Sequence, residues 1–366
     1  MKFRCDKTEL LSGINIALKA VPKKTTMPIL ECILINAKKE YIEITGNDME
    51  LGINTKISGE VIEEGQAAVN AKMISDVIRK LPDNVVTVLS DDDLNIKITC
   101  EKSKFNLTGK DGEEFPKLPE ISRDDFITVT EFGFKEIVKQ VIFPACTKHV
   151  NKLMTGVYFT VDEDILKAEA LDSHRIAIRQ LTLDKSYEPK GVIIPVKTLN
   201  ELTRILTDSM DSEIRIYFTK NNVIFEFGKT VIISRIIEGE YFKINRMLNH
   251  EHTIKATVNK TEFLECMDRS TLFIREGDRK PVLVNISDDG EMTIETSSVY
   301  GSMHETLEAE TFGEPLEIGF NPKYVLDVLK VVDDEEITMY LTNGTAPCTI
   351  KDDAGKYNYL ILPVAK

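Results

Sequence analysis

The chain repeats itself, and the length of the repeat limits what it can fold into. Three segments share one pattern: DKTELLSGINIALKAVPKKTTMPILECILINAKKEYIEITG, EFGFKEIVKQVIFPACTKHVNKLMTGVYFTVDEDILKAEALD and NKTEFLECMDRSTLFIREGDRKPVLVNISDDGEMTIETS. In each, apolar residues recur at helical spacing (Leu10, Ile14, Ala17, Leu18; Ile137, Val138, Val141, Ile142; Phe263, Leu264, Met267), and a basic loop then leads into strand-like alternation. A second half repeats too, as VNAKMISDVIRKLPDNVVTVLS, IPVKTLNELTRILTDSMDSEIRIYF and FNPKYVLDVLKVVDDEEITMYLT. Here Asn70, Pro195 and the Asn321–Pro322 pair open one helix in three copies, Ala71–Ile78, Val196–Thr203 and Pro322–Leu329.

Solenoid modules of roughly 20–50 residues need their neighbours to bury a core, whereas a unit of about 125 residues can bury its own. The spacing therefore predicts an α+β protein of three similar domains, each of two helices packed on antiparallel sheets, over 1–125, 126–251 and 252–366. The start, MKFRCDKTELLSGI, has no apolar run of signal-peptide length, and no window approaches the roughly 18 apolar residues of a membrane helix, so a cytoplasmic protein without a membrane partner is expected. Cys5, Cys32, Cys100, Cys146, Cys266 and Cys348 are scattered singly, a pattern of reduced packing residues rather than a zinc site or disulfide framework.

Lysine and arginine number 46 against 60 aspartates and glutamates, a net charge of −14 that argues against a polyanion partner unless the charge is segregated. The repeat supplies segregation. Lys72, Lys197 and Lys323 fall at one position, in the first turn of the second helix of each unit, where the macrodipole disfavours a cation by roughly 0.3–1 kcal/mol. Lys23 and Lys24, Lys148 and Lys152, and Arg279 and Lys280 likewise follow each first helix. Such recurrence points to a basic inner surface for nucleic acid, and with no aromatic residues interleaved the contacts should be to phosphates and independent of sequence.

Other motifs fail on context. The GKT of FGKTV lies between two strands, Val223–Phe227 and Val231–Ile237, and lacks the first glycine of a phosphate-binding loop, so it reads as a hairpin turn. Asp91–Asp93, Asp288–Asp289 and Asp333–Glu336 lack calcium-loop spacing and read as solvated turns; no metal or other cofactor is expected. In LDSHRIAI, Asp172, Ser173 and His174 are consecutive, and on an extended segment they alternate faces and cannot converge as a triad. An ion pair between Asp172 and Arg175, at a binding surface, is the simpler reading.

MPILECILI, ITGNDMEL, FPKLPE, ALDSHRIAI, VIIPVKTLNEL, EIGFNPKYVLDVL and the terminal YLILPV resemble, in order and spacing, the bacterial sliding clamps, the beta subunits of DNA polymerase III. The resemblance covers the whole chain. It implies a head-to-tail homodimer, six domains in a closed ring with helices lining the hole, which encircles double-stranded DNA and performs no catalysis. Lys24, Lys72, Lys148, His149, Lys152, Lys197 and Lys323 would then meet DNA phosphates.

The same resemblance implies a pocket for short peptides of the replicative polymerase alpha subunit, the ATP-dependent clamp loader and other clamp-binding proteins. Carried over by position, it comprises Met154, Leu171, Ser173, His174, Arg175, Ile176, Phe242, Arg246, Met247, Leu360, Leu362, Pro363 and Val364, with His174, Arg175 and Arg246 as polar rim contacts. Phe242 departs from the aromatic–proline pair common in the family and should reshape one wall. Phe105 and Leu107 would meet Leu272 and Phe273 at the dimer boundary. Two rivals are a protein-only repeat scaffold and a hydrolase centred on His174.

Overall fold

The computed structural model describes residues 1–120, 122–146, 149–248, 251–274 and 280–364, apart from the side chain of Arg246. One order, a strand, a helix, a run of strands, a second helix and three strands, occurs three times, as the spacing predicts, with five, two and four strands between the helices. The first repeat runs β1 (Lys2–Asp6), α1 (Lys7–Ala17), β2 (Cys32–Lys38), β3 (Tyr41–Asn47), β4 (Leu51–Ile57), β5 (Glu60–Glu63), β6 (Gly65–Asn70), α2 (Ala71–Lys80), β7 (Val85–Ser90), β8 (Asn95–Cys100) and β9 (Ser103–Asp111). The second runs β10 (Phe126–Thr130), α3 (Glu131–Val141), β11 (Gly156–Leu171), β12 (Arg175–Pro195), α4 (Val196–Ile205), β13 (Glu213–Phe218), β14 (Asn222–Phe227) and β15 (Thr230–Arg235). After the short α5 (Asn245–Leu248), the third has β16 (Ile254–Asn259), α6 (Lys260–Ser270), β17 (Val282–Ile286), β18 (Glu291–Ser298), β19 (Gly301–Phe312), β20 (Leu316–Phe320), α7 (Pro322–Leu329), β21 (Glu336–Leu341), β22 (Cys348–Lys351) and β23 (Tyr357–Ile361).

Contacts divide the chain into two compact units, 1–132 with 200–236 and 133–199 with 237–366. The first holds a 13-stranded sheet, β10-β13-β14-β15-β4-β3-β2-β6-β9-β8-β7-β1-β5, and the second a 10-stranded sheet, β11-β12-β23-β22-β21-β16-β19-β18-β17-β20. Among the described residues every strand pair is antiparallel. β11 bends at Glu163, which takes a φ of 52°.

In the first unit, α1 and α2 press Leu10, Ile14 and Ala17, and Ile74, Val77 and Ile78, into a core with Ile33, Ile35, Ile42 and Ile44 of the sheet. The i, i+3, i+4 spacing on each helix makes that apolar face, and each fully buried Ile or Leu contributes about 1.5–3 kcal/mol. Gly13 lets α1 lie close: a Cβ there would sit 2.6 Å from Ile57 Cγ2 and 2.9 Å from Ile44 Cδ1. In the second unit, Phe263, Cys266 and Met267 of α6 and Val325, Leu326, Val328 and Leu329 of α7 are buried.

The predicted helix starts hold where they can be read from side chains. Asn70 Oδ1 accepts from the Met73 N–H at 3.0 Å and Asn321 Oδ1 from the Lys323 N–H at 3.0 Å; each such cap is worth about 1 kcal/mol. The GKT triplet lies in the hairpin between β14 and β15, where Phe227 pairs with Thr230 and Gly228 takes a φ of 50°.

Candidate functional site

Asp172, Ser173 and His174 are not an extended segment. They form the turn between β11 and β12, because Asp172 Oδ1 accepts from the N–H groups of both His174 (2.7 Å) and Arg175 (3.0 Å), while the Asp172 N–H donates to the Arg175 carbonyl at 3.0 Å. Aspartate suits this place because its short carboxylate reaches its own backbone two residues on. A triad is excluded for this reason rather than by alternation: the carboxylate is engaged by backbone donors and by Arg175, and the His174 ring stacks on Tyr324, centroids 5.6 Å apart at 21°.

Arg175 is not the rim contact that the sequence suggests. It is 7% exposed. Nε donates to Asp172 Oδ2 at 3.1 Å, Nη1 to Asp327 Oδ2 at 2.6 Å and Nη2 to the Phe143 carbonyl at 3.0 Å. The guanidinium also lies 4.6 Å from the Tyr324 ring centre and 5.2 Å from that of Phe143. A buried guanidinium is tolerable only when charge and donors are met in this way.

Beside this turn lies an apolar cluster. Leu171, Ile176, Ile178, Ile193, Tyr241, Ile244 and Leu360 are buried in it, and Leu153, Met154, Tyr158, Ile237, Phe242, Leu248 and Leu362 pack around them, partly buried. Register places them: Ile176 opposes Leu360 in the β12–β23 ladder, and the Leu362 N–H donates to the His174 carbonyl at 2.8 Å. Pro363 and Val364 follow, half-buried, with the Val364 N–H on the Gly319 carbonyl at 2.9 Å. Met247, on α5, is 44% exposed, Ser173 and His174 are exposed, and the Arg246 side chain lies outside the described residues. The structure thus gathers Met154, Leu171, His174, Ile176, Phe242, Leu360 and Leu362 into one neighbourhood.

An aromatic row backs the cluster: Tyr158 stacks on Tyr241 (5.0 Å, 28°), and Phe242 meets Tyr241 edge-on (5.3 Å, 77°). Burial pushes the Tyr241 hydroxyl well above its ordinary range, and the Glu169 carboxylate adds to the shift. Sequence reasoning missed Phe143, Tyr158, Ile244, Tyr324 and Asp327 here. The neighbour of Lys323 in FNPKYVLDVL could have pointed to Tyr324; nothing local points to Asp327, 152 residues from the arginine it pairs with.

Lys72, Lys197 and Lys323 are the second residues of α2, α4 and α7 and are exposed, as are Lys24, His149 and Lys152. His149 Nδ1 accepts from the Asn151 N–H at 3.1 Å, which places the proton of the neutral ring on Nε2. Lys148 and Arg279 lie outside the described residues. Among the described residues no group of three or more histidine, cysteine, aspartate and glutamate side chains could hold a metal. Asp91 instead accepts from the Asn95 N–H at 2.9 Å, which holds its carboxyl below the ordinary range.

Within the two sheets, β9 and β19 each leave part of one edge open among the described residues. Ser103–Thr108 of β9 pair with β8 alone, and Gly301–Glu308 of β19 with β18 alone. Phe105 on the first edge is 39% exposed and Leu107 half-buried. Leu272 is 79% exposed, and Phe273 lies against Gly301, whose Cβ would be 3.2 Å from its ring.

Three copies of one helix-and-antiparallel-sheet unit, each with an exposed lysine opening its second helix, define a DNA clamp fold. Residues 1–119, 128–243 and 245–365 match the N-terminal, central and C-terminal domains of the DNA polymerase III beta subunit in turn. The chain belongs to the DNA polymerase III beta subunit family, the beta sliding clamps; it is a polymerase processivity factor and not itself an enzyme. Beta sliding clamps of Staphylococcus epidermidis and Staphylococcus aureus are each 34% identical, over 100% of this chain and 99% of theirs. Among solved structures, a DNA polymerase III beta subunit from Eubacterium rectale is 47% identical with a TM-score of 0.97, and the sliding clamp of Bacillus subtilis 31% identical with a TM-score of 0.97; each comparison covers 100% of this chain and 99% of the other. Neither the hydrolase nor the protein-only scaffold is supported. No helix among the described residues is long and apolar enough to cross a membrane.

Proposed function

We propose that two copies close head to tail into a ring around duplex DNA, the three repeats of each acting as domains over 1–125, 126–251 and 252–366. The open edge of β9 in one copy pairs with that of β19 in the other, and Phe105 and Leu107 pack against Leu272 and Phe273. Charge supports this pairing: Lys102 and Lys104 lie at the first edge and Glu308 at the second.

The observation that carries the DNA reading is the recurrence of Lys72, Lys197 and Lys323 at the second residue of three equivalent helices, exposed in a chain of net charge −14. With Lys24, Lys148, His149 and Lys152 they face phosphates diffusely, so the ring slides, and closure rather than affinity retains it. The cluster around Met154, Leu171, Ile176, Phe242, Met247, Leu360, Leu362, Pro363 and Val364, with Ser173, His174 and Arg246 at its margin, takes short apolar peptides of the replicative polymerase alpha subunit, the ATP-dependent clamp loader and other partners. A tethered polymerase that drops its primer end rebinds before it diffuses away. The protein works in the cytoplasm.

Labelled protein loaded onto nicked circular DNA by its loader and ATP tests this reading. Retention on circles with rapid loss after one restriction cut is expected; equal retention on both forms refutes a sliding ring. Lys72→Glu, Lys197→Glu and Lys323→Glu together should abolish processive synthesis by a protein that still dimerises.

A further inference from the structure

We infer that Asp327 is a positioning residue for the partner-binding turn, acting through Arg175; the inference rests on the peptide-site reading above. Arg175 follows the turn at the start of β12, and its guanidinium meets two carboxylates. They are not equivalent. Asp172 spends one oxygen on the N–H groups of His174 and Arg175, which shape the turn, and the other on Arg175 Nε. Asp327 reaches Arg175 from α7, at 2.6 Å, the shortest of the three guanidinium contacts.

Helix α7 holds the turn twice. Tyr324 and Asp327 stand three residues apart and so share one face of the helix. Tyr324 stacks on the His174 ring and lies under the Arg175 guanidinium, while Asp327 holds that guanidinium by a charged hydrogen bond. The helix does not need Asp327 for its own docking, because Pro322, Val325, Leu326, Val328 and Leu329 supply its buried face and the Asp327 side chain remains 24% exposed. What Asp327 secures is the guanidinium, and through it the Asp172 side chain, the turn and the placement of His174. Without the Asp327 charge the guanidinium keeps one carboxylate partner, already shared with the backbone, and the turn is tied to α7 by Tyr324 alone.

The test is the affinity of the full-length chain for a fluorescein-labelled peptide carrying Leu-Phe between polar flanks, read by anisotropy, with unfolding midpoints alongside. Asp327→Asn keeps the side-chain shape and removes the charge, so it covers the case in which Asp327→Ala fails to fold. Asp327→Asn is expected to weaken the peptide about tenfold, and to add little further loss in a His174→Ala background, since residues acting through one element are not additive. Unchanged affinity with a lowered midpoint makes Asp327 merely structural and overturns the inference, as do losses that multiply in the double variant. If the unaltered chain fails to bind both this peptide and one from the polymerase alpha subunit, the peptide-site reading itself fails and takes the inference with it.

Discussion

Thr55 and Thr230 stand 175 residues apart and share a buried hydrogen bond, Oγ1 to Oγ1 at 2.9 Å. They face each other in the β4–β15 ladder, where strands of the first and second repeats become one sheet. Thr230→Val should leave the Thr55 hydroxyl buried without its partner and cost about 1–3 kcal/mol, whereas Thr55→Val with Thr230→Val should be close to neutral. Denaturant midpoints of the two single variants and the double variant check this.

Glu305 of β19 receives a two-pronged bond from Arg269, Nε to Oε1 at 2.8 Å and Nη2 to Oε2 at 2.6 Å, which holds its carboxyl below the ordinary range. A carboxylate lowered on folding stabilises above its unfolded pKa, about 4.3, and that contribution fades as pH falls through the lower folded value. Glu305→Gln should therefore narrow the gap between unfolding midpoints at neutral pH and those below the carboxylate range. An acid limb identical to that of the unaltered chain would remove Glu305 from the account.

Burial pushes the thiols of Cys5, Cys266 and Cys348 to about 12, and raises those of Cys32 and Cys100 as well. A thiol of pKa near 12 is thiolate at about one part in ten thousand at pH 8. Cys146 is the only half-buried cysteine; the other five are buried. Brief iodoacetamide treatment of the native protein should modify Cys146 first, and Cys146→Ser should leave the folded chain almost unlabelled by mass.

Phe242→Leu removes the edge-on contact with Tyr241, which should cost about 0.5–1.5 kcal/mol of stability beyond the lost area. If Phe242 is also a wall of the peptide site, the same change should reduce the preference for a phenylalanine over a leucine anchor. Paired titrations with two peptides differing at that residue measure it.

The repeat was legible because each copy spells its helices and strands locally. Asn70 and Asn321 cap the helices that their neighbours in sequence predict, and the GKT triplet sits in the hairpin that its flanking strands require. The site was legible only in part. Leu171, Ile176 and Leu360 come together through strand register, which the resemblance anticipated. The turn at 172–174 was hidden by a strand-like context on both sides, and α5 (Asn245–Leu248) is a single turn with no periodicity to announce it. Arg175 could not be read as buried, because the partners that allow it, Phe143, Tyr324 and Asp327, are 32, 149 and 152 residues away.

The β4–β15 ladder also sets a timetable. As the chain leaves the ribosome, β4 can pair with β3 at once, but its other edge waits until Thr230–Arg235 has been made. β12 waits through a similar length of chain for β23, the last strand among the described residues. During synthesis two apolar strands thus stand with bare backbone on one side, in the form that recruits neighbouring chains into aggregates. Translation speed across residues 58–230, and chaperones that shield strand edges, should therefore govern the yield of this protein more than the stability of its finished fold.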